Sequence, residues 1–294
     1  FDAGAVSKLH DRPGLAAGKV NRSFDDGAGG GGNGDVAGII AGADVVIVSS
    51  DTDPAWPAPI RDAIGRAPIV CDITAFGVGM GRDDAPSMRR ATADPLVQAA
   101  AGAMDTSGEP GGPPALCEGP IIEMSAALYA ASGVLAALRA LRLQRCRQRV
   151  EVALYDCAVG MLATFLPKNF AGGKAQRVGN HHPAMSPWNT FAAKDGWVLL
   201  CAGTNEQWAR VAKLIGRPEL TCDPRFDSTT KRVANAAEID ATIAPWIAQL
   251  TVAECVDRLN AISISTGPIL RVADLVREPN LAHRGMVRTM PDGR

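Results

Sequence analysis

Asp156 is out of keeping with its surroundings. In residues 150–162, VEVALYDCAVGML, Val150, Val152 and Leu154 alternate with Glu151 and Ala153 as a strand does. CAVGML then follows, an almost uncharged run that reads as a buried helix. Two roles fit a carboxylate at such a corner. It can cap the helix, accepting hydrogen bonds from the free amides of the first turn. It can also be a reactive group: an aspartate, with a reference pKa of about 3.9, is ionised at neutral pH and needs no general base to act as a nucleophile. Cys157 beside it could have its pKa lowered by the helix dipole, but its apolar neighbours read as the packing of an inert thiol.

Other chemistry finds less support. His181 and His182 are adjacent, so their side chains diverge, and no Asp, Glu or Cys stands near them at ligand spacing. A metal is therefore not expected. GxSxG, HExxH and P-loop patterns are absent from the sequence, which removes the common hydrolase, metalloprotease and nucleotide-triphosphatase readings.

The elements that must position Asp156 read as alternating strands and helices. GADVVIVSS (residues 42–50) and APIVCDITAFG (residues 67–77) are short apolar runs bounded by turn residues, the mark of buried parallel strands. The tract DDGAGGGGNGD before them reads as a flexible linker, since no strand directly precedes it as in a phosphate-binding loop. DPLVQAAAGAM predicts a helix with Asp94 as its cap and Pro95 at its first position. Residues 122–143 predict the longest helix, apolar nearly all round and so expected to be buried between layers, with RCRQR closing it.

After Asn169 the polar, irregular GGKAQRVGNHHPAMSPW reads as a crossing between domains. A hairpin turning at Lys194-Asp195-Gly196 follows, then an amphipathic helix ending at Gly216. Helices around 235–249 and 251–261 come next, and ISTGPILRVADLVREP returns to a strand and a short helix. The fold class expected is α/β: a doubly wound, mostly parallel, Rossmann-like sheet in a large domain, followed by a smaller α+β domain.

Composition agrees with a globular protein. Of 294 residues 47% are hydrophobic, enough for one large or two unequal cores, and the formal net charge of −1 gives no electrostatic footprint for nucleic acid. Seven cysteines without a CxxC pair read as reduced thiols. No uninterrupted apolar run reaches the roughly 18 residues of a membrane span. The opening FDAGAVSKLHDRPG has no signal-peptide pattern, so a cytoplasmic location is expected.

These segments, taken in order, resemble the class III CoA-transferases, the group of formyl-CoA and carnitine CoA-transferases and the alpha-methylacyl-CoA racemases. The resemblance runs through DAGAVSKLHDRPG, ADVVI, ITAFGVG, ADPLVQAAAGAM, TSGEPGGPP, ALYAASGVLAALRA and VEVALYD. It continues through GNHHPAMSPWNTF, KDGWVLL, NEQWARV, DPRF, TGPILRVADL and LAHRGMV, essentially the whole chain. It implies that Asp156 is the catalytic carboxylate, forming a mixed anhydride and then an aspartyl-CoA thioester. It further implies that Lys8, Arg12, Ser49, Phe76 and Gly77 contact the coenzyme. An acyl-CoA and a small carboxylic acid are the implied substrates, with no permanently bound cofactor. The implied assembly is an interlocked homodimer or a paired homologous half.

Domains follow as 1–178, the CoA-binding domain, 179–270, the small domain, and 271–294, the start of a return to the large one. In the family a first strand and an AGP turn precede the segment matching residues 2–14, so the N-terminal part of the large domain is expected to lie outside these 294 residues. Residues around Gly179, Asn180 and His181 are expected to act as lid elements.

The sequence departs from the family in several places. Ala93 occupies the place of the histidine of the racemases and the tyrosine of several transferases, which favours transfer over two-base racemisation of 2-methylacyl-CoA. Ser49 and Asp51 stand where Asn and Arg are usual, and an acidic residue there repels phosphate. QRCRQ replaces the glycine turn before the catalytic strand, and Ala127 replaces a helix glycine, while Glu123 keeps the acidic residue usual at that helix start. A racemase, or a non-catalytic member that binds acyl-CoA or stabilises a partner, stands as the alternative reading.

Overall fold

A computed structural model describes residues 32–50, 56–77, 93–174 and 176–287, which divide into two compact units between Arg177 and Val178. In the first unit, helix α1 (Gly32–Ala41) leads to strand β1 (Val45–Val48), helix α2 (Ala58–Arg66) and strand β2 (Ile69–Thr74). Helices α3 (Asp94–Ala100), α4 (Ala103–Thr106) and α5 (Ile121–Gln144) precede strand β3 (Gln148–Ala153), and helices α6 (Leu154–Met161) and α7 (Phe165–Phe170) follow it. The sheet runs in the order β1-β2-β3 and is parallel throughout, Val45 opposite Ile69, Ile69 opposite Gln148 and Thr74 opposite Ala153. This is the mixed α/β arrangement expected of continuous apolar strands such as IVCDIT, of which Ile69, Val70 and Cys71 are buried.

One departure from expectation lies in the glycine tract. Its last residues, from Gly32 to Asp35, form the first turn of α1 rather than a linker. Glycine costs a helix about 1 kcal/mol against alanine, so the apolar residues that follow decide this element.

The long helix α5 departs further. Its buried residues are Ile122, Ala126, Ala130 and Ala137, a single stripe, small after Ile122, against β2, β3 and α6, while Met124, Leu128 and Leu135 on the opposite side are 64–70% exposed. Among the described residues the three-stranded sheet covers one side of the helix, and the expected burial between layers is not met there. Small residues allow close approach: a Cβ on Gly133 would lie 2.6 Å from Val150 Cγ1 of β3. By length and composition α5 is also apolar enough to cross a membrane, a feature hidden from a search for uninterrupted runs because Glu123 and small polar residues dilute it. A core helix passes the same test.

Asp94 is a second correction. It is the first residue of α3 and makes no cap bond to that helix. Its carboxylate, 4% exposed, instead caps α5: Oδ2 accepts from the Ile122 and Glu123 amides at 2.7 and 2.9 Å. Oδ1 accepts from Gln98 Nε2 at 2.7 Å, and Gln98 in turn exchanges hydrogen bonds with the Cys117 backbone. Pro120, at the N-cap position of α5, has no side-chain group to offer, so a residue distant in sequence does that work.

In the second unit, strands β4 (Trp188–Ala192), β5 (Trp197–Cys201) and β6 (Ser265–Pro268) form an antiparallel sheet, with Ala192 opposite Trp197 and Cys201 opposite Ser265. Lys194, Asp195 and Gly196 lie in the hairpin turn, closed by a bond from Ala193 N–H to Gly196 C=O. Helices α8 (Asn205–Leu214), α9 (Thr229–Ala234), α10 (Ala236–Ile247) and α11 (Val252–Ala261) follow β5, and α12 (Val272–Leu275) and α13 (Pro279–His283) follow β6. Capping boxes start α8 (Thr204 with Gln207) and α11 (Thr251 with Glu254). Trp208, Phe226, Ile239, Ile243, Ile247, Leu259 and Ile264 fill the core.

Candidate active site

The carboxyl ends of parallel strands are where α/β folds hold ligands, because the loops there diverge and the following helices point their N-termini at the gap. Asp156 lies at that edge, three residues past the end of β3. The chain turns from strand to helix without a loop, and the Tyr155 amide donates to Ala75 C=O at 2.9 Å, carrying the β2–β3 pairing beyond the strands. Phe76 and Gly77 leave β2 at the same edge. The Phe76 ring lies 5.5 Å from that of Tyr155. Gly77, at φ +94°, needs its lack of a side chain, and its amide donates to Thr74 Oγ1 at 2.9 Å. Ser49 follows β1, and the next amide, Ser50, donates to Asp72 Oδ1 at 3.0 Å. Four of the six residues expected to form the site thus sit on neighbouring strand ends; Lys8 and Arg12 lie outside the described residues, as does Asp51.

Asp156 is not the helix cap. Ala153 holds that position, with extended backbone angles, and Asp156 is the third residue of α6. Leu154, which alternation assigned to the strand, is already helical, so Asp156 falls within the first turn and not at the cap. Among the described residues the carboxylate accepts no hydrogen bond, and it is exposed, not enclosed in an apolar corner. In the first turn of a helix its charge is favoured by the dipole. Beneath it Cys157 is buried, and burial first, then the charge of Asp156, pushes its thiol pKa up, the reverse of an activated cysteine.

A sequence model of CoA-transferase family III matches residues 36–294. The chain belongs to that family. It is 31% identical to the acetyl-CoA:oxalate CoA-transferase of Acetobacter aceti over 66% of its own length and 50% of that protein. It is 28% identical to the succinyl-CoA:glutarate CoA-transferase of Mus musculus over 78% of its length and 52% of that protein. The crystal structure of a CaiB/BaiF family protein from Brucella suis superposes with a TM-score of 0.70 at 29% identity, covering 89% of this chain and 69% of that one. The chain therefore spans about half the length of the curated relatives it matches.

The histidines singled out by sequence belong to the second unit. In the second unit, His181 Nε2 is 2.6 Å from Asp240 Oδ2, its Nδ1 faces Val178 C=O at 3.0 Å, and Asn189 donates to the same carboxylate oxygen at 2.7 Å. His182 packs its ring 5.0 Å from Trp188. Among the described residues no three His, Cys, Asp or Glu side chains are grouped to hold a metal. A cleft of about 320 Å³ in the first unit is lined by Asp105, Pro110, Gly111, Gln176 and Arg177, without Asp156. Arg177 ties that loop together through Gly112 C=O and Asp105.

Sequence reading missed Arg232. It is fully buried, and its guanidinium donates to Ser186 C=O, Asn205 Oδ1, Phe226 C=O, Gly203 C=O and Thr229 Oγ1 at 2.8–3.3 Å. Burial lowers its pKa. These partners hold the loops around a cleft of about 720 Å³ lined by Met185, Trp188, Gly203 and Asn205 among others. A lone arginine in a helix pattern gives no sign of such a role.

Proposed function

We propose that this chain carries the catalytic aspartate of a CoA-transferase that moves CoA from an acyl-CoA thioester to a small carboxylic acid. The observation that carries the reading is Asp156 itself: an exposed carboxylate, without a hydrogen bond among the described residues, at the carboxyl edge of a parallel sheet in a family III chain. An Asp156 carboxylate oxygen attacks the thioester carbonyl carbon. The C–S bond breaks, CoA leaves as thiolate, and a mixed anhydride remains. The thiolate then attacks the aspartyl carbonyl, releasing the first acid and leaving an aspartyl-CoA thioester. The acceptor carboxylate repeats the sequence in reverse, departs as its CoA thioester and restores Asp156.

A carboxylate is a weak nucleophile and its anhydride hydrolyses readily, so reaction requires the site to exclude water and hold its reactants. In this reading Ser49, Phe76 and Gly77 contact the coenzyme at the strand ends, with Lys8 and Arg12. On the same reading residues 1–178 are the large domain, with the doubly wound plan, and residues 179–270 the small domain, with lid elements near His181. The exposed stripe of Met124, Leu128 and Leu135 supports an interlocked homodimer that covers it. Ala93, at the N-cap position of α3, offers no proton-transfer group, which weighs against racemisation.

The relatives supply the first substrates to try: acetyl-CoA and succinyl-CoA as donors, oxalate, glutarate and mesaconate as acceptors. The expected result is transfer with at least one pair and parallel double-reciprocal plots, since the first acid leaves before the second binds. Deuterium entering the α-carbon of 2-methylacyl-CoA without transfer would overturn the proposal in favour of racemisation.

A further inference from the structure

The face of α6 that carries Asp156 has a gap one turn further on. Gly160 lies four residues along, and i, i+4 positions are neighbours on one helix face, roughly 5–6 Å apart at Cβ. Gly160 is exposed, and among the described residues a Cβ built on it would meet one atom within 4 Å outside its own helix backbone: the hydroxyl oxygen of Tyr129, at 3.9 Å. Tyr129 comes from α5. The small stripe of Ala126 and Ala130 packs on α6 with Ala158, bringing the helices close enough for the phenol at the edge of that stripe to overhang the bare backbone. Tyr129 is 57% exposed, and among the described residues its hydroxyl has no hydrogen-bond partner. Tyr155, the other tyrosine of the chain, is turned to Phe76.

We propose that the Tyr129 hydroxyl is a further catalytic group: it hydrogen-bonds the acyl oxygen of the thioester that Asp156 attacks, the acyl group lying in the gap over Gly160. This rests on the transferase reading of Asp156. When the carboxylate adds to the thioester carbon, the C=O electron pair moves onto oxygen, and a fixed donor stabilises that charge as it forms. The phenol keeps its proton throughout. The oxygen returns to a carbonyl as the C–S bond breaks. A glycine at 160 leaves room for the acyl group between nucleophile and donor.

The test uses the full chain with acetyl-CoA and succinyl-CoA, following formation of the aspartyl-CoA adduct by intact mass in rapid-quench samples. Tyr129→Phe deletes only the hydroxyl. The expected result is an adduct formed on the order of 10²-fold more slowly, with the acyl-CoA concentration at half-maximal rate little changed. Gly160→Leu fills the gap with a better helix former, so it is expected to fold at least as well while losing adduct formation. Adduct formation at the wild-type rate in Tyr129→Phe, or in Gly160→Leu, would overturn the role of Tyr129 and leave Asp156 standing. Absence of adduct in the wild-type chain would instead remove the reading of Asp156 on which it rests.

Discussion

Replacing Asp94 by alanine tests how the first unit holds α5, and through it α6, in place. The carboxylate is buried and receives three hydrogen bonds, two of them from α5 amides that the sequence leaves without another cap. Hydrogen bonds to a charged group contribute about 1.5–3 kcal/mol each, and loss of a helix cap costs about 0.5–2. The contributions overlap, and water can reach the partly exposed Glu123 amide, so a loss of about 3 kcal/mol is expected, a factor of roughly 10² in the folding equilibrium. Asparagine keeps one oxygen for the two amides but turns its NH₂ toward Gln98, which should cost about 1 kcal/mol. Urea unfolding followed by circular dichroism gives the ordering, and hydrogen exchange at Ile122 and Glu123 localises it. If Asp94→Ala unfolds within about 0.5 kcal/mol of wild type with both amides still protected, Asp94 is not the cap of α5.

Three further outcomes follow from the packing and the titrating groups. Gly133→Ala should destabilise by about 1–3 kcal/mol in urea unfolding, although alanine is the better helix former, because its Cβ would lie 2.6 Å from Val150 Cγ1. Thiol titration should find Cys117, Cys146 and Cys222 reacting rapidly and Cys71, Cys157 and Cys255 slowly, since burial both shields the latter and raises their pKa. Bonds from the Arg225 side chain and amide hold Asp223 down to a pKa of about 2. Its stabilising contribution is complete above the ordinary carboxylate value near 4 and fades as pH falls toward about 2, so Asp223→Asn should flatten the acid limb of stability in that window.

Much of this was legible in the sequence, and the misses share a cause. Strands β1, β2 and β3 announce themselves by short apolar runs between turn residues, and the hairpin at Lys194-Asp195-Gly196 by its turn chemistry. The strand-to-helix corner at Asp156 is legible in the sequence, but which of its two roles holds there depends on the backbone state of Leu154 and Tyr155. Leu154 continues the alternation of the strand while belonging to the helix, and no pattern in side chains separates those states. In sequence Asp94 reads as a cap of its own helix, because the amides it satisfies lie 28 and 29 residues away. The composition of α5 shows that it is apolar but not how much of it the elements around it cover. Tyr129 and Gly160 lie on different helices, and no sequence pattern pairs them.

The central claim is that Asp156 forms the covalent intermediate. Incubation with acetyl-CoA or succinyl-CoA, followed by intact mass and peptide mapping, tests it most directly. The predicted result is a chain heavier by CoA less one water, with the modification on Asp156 converted to a hydroxamate by hydroxylamine. Asp156→Ala should form no adduct. Because the carboxylate is exposed and without a hydrogen bond among the described residues, that variant should also unfold within about 1 kcal/mol of wild type, the scale of a helix-dipole effect. An adduct mapped to another residue, or transfer at the wild-type rate in Asp156→Ala, would contradict the account.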